Sequence, residues 1–344
     1  MSYQGALRRY GNLLDLPAHT REVTLLEGNT PLIPMPRLGN ELGIELYVKF
    51  EGLNPTGSFK DRGMTAAISE AVGRGAETVI CASTGNTAAS AAAYAARAGL
   101  RAIVLIPEGK VAVGKLAGAI AYGAEVIQVK GSFDDALALV VEITQKTPIA
   151  LVNSINPFRI EGQKTAAFEI CDVMGSAPDW LCLPVGNAGN ITSYWAGFKQ
   201  YQKGLPHILG VQAAGSAPLV LGHPVDKPET VATAIRIGRP ARGEQALEAA
   251  YESKGRIIAV SDEEILSAQK ILASEGVWVE PASAAGIAGL IAEAGRGKDF
   301  EARGKRVVAV CTGHGMKDPS IITESFASPK VISATYESLV EAIG

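Results

Sequence analysis

The apolar residues of this chain come in short unbroken runs, separated by longer stretches that are alanine-rich or repeat apolar positions three and four apart. TVICAS (78–83), RAIVLIP (101–107) and AEVIQVK (124–130) read as strands, and 86–98, 112–122 and 133–144 as the helices that follow them. Strands so continuously apolar belong in a parallel sheet covered on both faces. Three such units in series form an α/β domain, with the short run IALV (149–152) after them. A second series runs through a helix at 162–174, the strand DWLCLPVG (179–186), a helix at 191–202 and the strand HILGVQAA (207–214). Proline and glycine thicken from 215 to 243, which predicts loop with at most one short helix. IIAVS (257–261) then meets a helix whose start is legible, because Ser261 followed by Glu264 is a capping box. Another helix follows EGVWVEPASAAG, and KRVVAVCTGHG (305–315) is a last central strand entering a glycine-rich loop. The expected architecture is two doubly wound, mostly parallel α/β domains with a cleft between them. Residues 1–52 with 151–344 would form the larger, and 53–150 the smaller.

Composition narrows the function classes. The 344 residues are 47% hydrophobic and 19% charged, with a formal net charge of −3, so neither disorder nor the basic surplus of a nucleic-acid binder is expected. No run of apolar residues is long enough for a membrane span, and no apolar segment follows the basic residues of the N-terminus, so a cytoplasmic protein is expected. Cys81, Cys171, Cys182 and Cys311 lie far apart without a C-x-x-C pair, which predicts free buried thiols, and no metal-ligand spacing is present.

Four polar, glycine-bearing segments interrupt the rhythm: GSFKDRG, CASTGNT, PVGNAGN and CTGHGMKDP. The last three follow strands, where open α/β sheets bind ligands. GNAGN (186–190) is either a tight turn with asparagine caps or a cradle of backbone amides for a phosphate dianion. Neither G-x-G-x-x-G nor a P-loop occurs, which disfavours a dinucleotide or ATP site and favours one phosphate on a small cofactor. STGNT (83–87) carries hydroxyls at Ser83, Thr84 and Thr87 and the amide of Asn86, suited to a carboxylate or simply to capping a helix. Lys60, if it opens a helix beginning near Ser58, sits where the helix dipole disfavours its charge; a partly desolvated lysine there is a Schiff-base nucleophile. Alone it could equally be a solvated surface lysine.

Together these segments resemble the pyridoxal-phosphate-dependent enzymes of fold type II, the tryptophan synthase β-like fold, and among them most the threonine synthases. The resemblance runs from about Leu26, through EGNTPLI, to Pro319, with the motifs in family order. It implies that Lys60, beside Phe59, carries pyridoxal 5′-phosphate. It implies further that Gly186, Asn187, Ala188, Gly189 and Asn190 hold the cofactor's phosphate, and that Asn86 bonds its 3′-oxygen. Thr312 would face the pyridine nitrogen, where a hydroxyl offers only a neutral hydrogen bond and leaves the ring largely unprotonated. Ser83, Thr84, Asn86 and Thr87 would bind the substrate carboxylate. NSINPFR (153–159) offers Arg159, whose planar fork suits a phosphate, with Asn153 and Ser154 as further donors; alone, Arg159 could also be a surface arginine capping a helix. The likeness favours these three and Asn187 for the substrate's phosphate, with Lys110 a weaker candidate.

The implied reaction is O-phospho-L-homoserine plus water giving L-threonine and phosphate, by a homodimer. Related dehydratases resemble SFK-x-RGA and carry an SGGGL-like phosphate loop, whereas this chain has DRG and GNAGN; cysteine synthases have a serine-rich loop instead. A regulatory extension like that of plant forms is not expected in the residues before about Val23. The rival from another class is a phosphate- or small-ligand-binding module without covalent chemistry.

Overall fold

The computed structural model describes residues 2–109, 113–131, 133–295, 297, 300–319 and 329–343. Its ten strands are β1 (Leu32–Pro34), β2 (Glu45–Phe50), β3 (Thr78–Ala82), β4 (Arg101–Pro107), β5 (Glu125–Val129), β6 (Ala150–Leu151), β7 (Trp180–Pro184), β8 (His207–Ala213), β9 (Arg256–Val260) and β10 (Arg306–Cys311). They form two sheets, one in the order β5-β4-β3-β6 and one in the order β1-β2-β10-β7-β8-β9. The smaller sheet is parallel throughout, and in the larger only β1 runs antiparallel, against β2. β7 is buried along its whole length and β3 and β10 all but their first residue, as strands covered on both faces must be, while the edge strand β5 has no fully buried residue. The four cysteines are free and buried.

Helices cover both sheets. Asn86–Ala98 and Phe133–Lys146 pack against β3 and β4, and Pro281–Ala294 packs against β7 to β10. The Lys60–Gly73 and Pro157–Met174 helices pack on each other, and two glycines set how closely. A Cβ at Gly162 would stand 1.9 Å from the Arg62 carbonyl oxygen, and one at Gly63 would stand 2.8 Å from that of Arg159. Neither position has room for a side chain, so the backbones that carry Lys60 and Arg159 meet almost directly.

The elements follow the hydrophobic runs, with informative departures. The Pro157–Met174 helix begins five residues before the expected 162: Asn156 Oδ1 accepts from Phe158 N at 2.9 Å, and Pro157 occupies the first turn. Arg159 therefore stands in that first turn. The predicted 112–122 helix is Val113–Ala121, with Ala112 outside the described residues. Between 215 and 243 stand the expected short helix, Pro218–Leu221, and a 3-10 turn, Thr233–Ile235. Strands β1 and β2 and the helices Pro36–Leu42 and Gly243–Glu252 were not anticipated from the pattern. The Ser261–Glu264 capping box is formed in both directions.

Candidate active site

A cavity opens where the carboxyl ends of β3, β7 and β10 meet the first turns of several helices. It is lined by Lys60, Asn86, Arg159, Gln163, Glu280 and Thr312, and further by Phe59, Ser154, Pro184, residues 186–190, Ala234 and Ile235. Lys60, Asn86 and Gly189 each open a helix, Glu280 caps another, and Arg159 lies in the first turn of a fifth. Helix N-termini attract anions, and so many around one cavity suit a ligand rich in negative charge.

The SFKDRG segment divides its labour by residue. Lys60 turns inward, its Nζ 4.2 Å from the centre of the Phe59 ring. Burial, reinforced by the charge of Arg159 and opposed by Glu280, pulls its pKa down to about 7. Asp61 accepts from Ser90 Oγ at 2.6 Å, from Thr56 Oγ1 at 2.6 Å and from Thr56 N at 2.7 Å, and burial nonetheless lifts it to about 6. Arg62 is buried between two carboxylates, with Nε 2.6 Å from Glu51 and Nη2 2.6 Å from Glu169; Lys49 Nζ lies 2.8 Å from Glu169. The EGNTPLI segment completes this network: Thr30 Oγ1 donates to Glu51 at 2.7 Å, Asn29 N to Glu169 at 2.7 Å, and Glu27 accepts from Tyr94 at 2.8 Å. Lys60 is thus mounted on a helix whose first turn is anchored on both sides.

Thr312 Oγ1 lies 2.9 Å from Ser283 Oγ, which also accepts from Gly313 N at 2.7 Å. The loop bearing Thr312 is fastened to the one before Lys60, because Phe59 N donates to the Thr312 carbonyl at 2.9 Å and His314 N to that of Gly57 at 2.9 Å. Asn86 Nδ2 donates to both oxygens of Glu280, whose carboxyl burial holds above its usual range.

GNAGN forms the start of the Gly189–Tyr201 helix, with Ala188 in the left-handed region at φ 64°. A Cβ at Gly186 would approach Ile235 Cα to 3.0 Å. Asn190 Nδ2 is buried without a partner among the described residues. Asn187 is held by its backbone oxygen, which accepts from Arg242 N at 3.3 Å, and by its Oδ1, which accepts from Ala241 N at 3.4 Å.

Arg159 is 1% exposed; its Nη1 donates to the Val152 carbonyl at 3.3 Å, its Nε has no partner, and burial lowers its pKa to about 10. The charge of Asp61 supports it, but no carboxylate forms an ion pair with it among the described residues. Arg242, which sequence reasoning missed, reaches the carbonyls of Ser154 and Ile155, each at 3.5 Å. Two guanidiniums therefore bracket residues 152–155.

Other expected residues are placed differently. Asn153 is committed to β3, its Nδ2 donating to the Ala82 carbonyl at 2.9 Å and its Oδ1 accepting from Ala82 N at 3.0 Å. Its amide positions the strand end instead of lining the cavity. Ser83, Thr84 and Thr87 are half-buried, and Asn86 is the side chain of that loop which lines the cavity. Lys110 lies outside the described residues. Gln163, Glu280 and Ser283 were not anticipated: each sits in or beside a helix, outside the four interrupted segments.

Known proteins resemble this chain over most of its length. Residues 23–313 match the model of the family described as pyridoxal-phosphate dependent enzyme. The chain is 57% identical over 331 residues to a threonine synthase of Synechocystis sp., covering 94% of this chain and 86% of that protein. It is 54% identical to a threonine synthase of Halalkalibacterium halodurans, covering 99% and 98%. Among solved structures, the processed threonine deaminase isoform 2 of Solanum lycopersicum superposes with a TM-score of 0.75 at 24% identity, covering 93% of this chain and 86% of that one, a likeness of fold. With its two mostly parallel sheets and this degree of identity, the chain belongs to the threonine synthases of the pyridoxal-phosphate-dependent enzyme family.

Proposed function

We propose that this chain converts O-phospho-L-homoserine and water to L-threonine and phosphate, the last step of threonine biosynthesis, with the residue roles that follow. The residues fit pyridoxal 5′-phosphate. GNAGN supplies a glycine-lined helix start with the unpartnered Asn190 amide beside it, Lys60 supplies an amine near neutral pKa, and Thr312 supplies a hydroxyl. When bound, the cofactor supplies an electron sink for charge developing at the substrate's Cα and Cβ. Lys60 takes the proton from Cα and moves the one at Cβ to Cγ once phosphate has left, a double duty that suits an amine with pKa about 7. Asn86, with Ser83, Thr84 and Thr87 at the same helix start, anchors the substrate carboxylate. Arg159, Ser154 and Asn187 hold the phosphate that leaves Cγ.

The observation that carries this reading is Arg159, a buried guanidinium lining the cavity with one long carbonyl contact and no carboxylate. A buried arginine left so short of partners costs stability unless an anion completes it. GNAGN is a separate anion site, so the cavity has places for two dianions, one on the cofactor and one on the substrate. A dehydratase acting on serine or threonine needs only the first. A charge-assisted contact contributes about 1.5–3 kcal/mol, or roughly 10- to 150-fold. Arg159→Ala should therefore lower kcat/KM for phosphohomoserine at least about tenfold, keep its cofactor, and spare slow deamination of unphosphorylated serine or threonine. Equal losses on both substrates would deny Arg159 this role. A wild-type enzyme faster on threonine than on phosphohomoserine would favour the dehydratase reading.

The same reading extends to organisation. Residues 1–52 with 151–344 form the larger unit and 53–150 the smaller, which accords with the membership of the sheets except that β6 lies on the boundary and pairs with β3. Two copies associate as a homodimer, and the cytoplasm is the compartment that keeps four unpaired thiols reduced. Among the described residues no helix is long and apolar enough to cross a membrane.

A further inference from the structure

The side chain of Gln163 lines the cavity, is 3% exposed, and has an Oε1 with no donor among the described residues. A buried amide oxygen without a partner is costly, and such an atom in a cavity calls for a donor from the ligand or from water. The known ligands narrow the choice. The substrate carboxylate and the two phosphates are acceptors, and the substrate's amino group is engaged at the cofactor, so none of them offers this oxygen a donor. Among the side chains lining the cavity the one carboxylate, Glu280, is already engaged by Asn86. Gln163 Oε1 is thus an acceptor left open in a site otherwise furnished with donors.

Its position is equally specific. Gln163 lies one helical turn beyond Arg159 and against Gly63, which lies one turn beyond Lys60; a Cβ on Gly63 would come within 2.7 Å of Gln163 Nε2. The amide stands at the crossing of the two helices that carry the lysine acting at Cα and the arginine proposed for the phosphate leaving Cγ. Between Cα and Cγ lies Cβ, the carbon that accepts water.

We infer that Gln163 is a positioning residue for the water that adds at Cβ, accepting one of its hydrogens and turning its oxygen toward the carbon. This rests on the threonine synthase reading above. In the step, one O–H bond of water breaks and its oxygen bonds to Cβ of the unsaturated four-carbon acceptor left after phosphate departs. Lys60 delivers a proton to Cα and recovers one from the water, so atoms and charge balance. When water is not placed there, the acceptor is lost by hydrolysis to 2-oxobutanoate and ammonia, and threonine is not formed.

That alternative fate supplies the test, made on the holoenzyme with phosphohomoserine by measuring phosphate, threonine and 2-oxobutanoate together. Gln163→Leu, and Gln163→Met as an unbranched second choice, remove the acceptor; Gln163→Glu keeps one. For Leu or Met the expected result is phosphate release within about threefold of wild type, while threonine per phosphate falls at least about fivefold and 2-oxobutanoate makes up the difference, the effect of one lost neutral hydrogen bond. Gln163→Glu should keep most of the wild-type ratio. An unchanged ratio in both apolar variants would overturn the inference, as would phosphate and threonine falling in step. A wild-type enzyme that releases no phosphate would instead refute the reaction itself, a distinguishable outcome.

Discussion

The amide of Asn86 donates to both carboxylate oxygens of Glu280, at 3.0 and 3.1 Å, and so ties the start of the Asn86–Ala98 helix to the cap of the Pro281–Ala294 helix. The pair spans the smaller and the larger sheet at the floor of the cavity. Asn86→Ala would leave a buried carboxyl without its chief donor and drive it further above its usual range. A loss of about 1–3 kcal/mol in unfolding free energy is expected, the cost of one orphaned buried group. Denaturant unfolding of the variant beside wild type checks it, and an unchanged midpoint would show that Glu280 finds another donor.

Lys60 makes a prediction about pH. Its amine, held at about 7, should react with an amine-directed reagent in cofactor-free protein at a rate that climbs to about pH 7 and then flattens. An ordinary lysine would keep gaining reactivity toward 10.5. The sign for stability follows from proton counting: between about 7 and 10.5 the unfolded chain binds the proton that the folded one has released, so stability rises with pH across that window. Lys60→Met should remove this component. Peptide mapping of the labelled site, at several pH values, reads the first effect directly, and a rate still rising at pH 9 would contradict it.

Arg62 should be the most expensive residue of the first turn to lose. Its guanidinium bridges Glu51 and Glu169, and removing it leaves Glu51 without its ion-pair partner and Glu169 with Lys49 alone. Breaking a buried pair in this way costs about 3–5 kcal/mol, and Arg62→Lys should recover little, because an ammonium cannot serve both carboxylates in the same plane. Burial would raise Glu169, but Arg62 and Lys49 overcome it and hold it at about 2. Its stabilisation is therefore present above its ordinary pKa and lost as pH falls toward 2; in Arg62→Leu the acid transition should move to higher pH. Acid unfolding followed by circular dichroism tests both.

These residues also mark what the sequence could convey. β3, β4, β7, β8 and β10 were legible because strands buried on both faces are written as unbroken apolar runs. The site segments were legible because a strand end that must present backbone or side-chain donors needs glycine and small polar residues there. Gln163, Glu280 and Ser283 carry no such mark: a glutamine inside a helix and a glutamate at a helix cap look like ordinary surface residues until packing closes over them. Asn153 shows the converse. Its place in NSINPFR suggested a phosphate donor, yet a buried strand end with unpaired backbone groups claims the amide first. The early start of the Arg159 helix was written in Asn156–Pro157, a cap and first-turn pair that the apolar pattern beyond Gly162 outweighed.

Thr312 offers the last test, and its neighbours make the outcome specific. Ser283 Oγ accepts from Gly313 N at 2.7 Å, so its own proton goes either to Thr312 Oγ1, 2.9 Å away, or to the Gly313 carbonyl at 3.2 Å. When Ser283 donates to Thr312, the one proton of Thr312 is left for the cavity, and a ring nitrogen placed there receives a neutral hydrogen bond. Thr312→Asp replaces that donor with a carboxylate, in the same loop where a Cβ at Gly313 would lie 2.5 Å from Glu280 Oε1. Two such acids in one buried pocket do not both stay ionised cheaply without a counter-charge. A protonated ring nitrogen is that counter-charge, and a carboxylate at this range raises its pKa by about 1–3 units. The bound cofactor's absorption should therefore shift in Thr312→Asp, with 2-oxobutanoate rising at the expense of threonine as the stronger sink diverts intermediates. Thr312→Ser keeps the hydroxyl and should leave both unchanged. A wild-type spectrum and product ratio in Thr312→Asp, with the cofactor still bound, would remove Thr312 from the ring nitrogen.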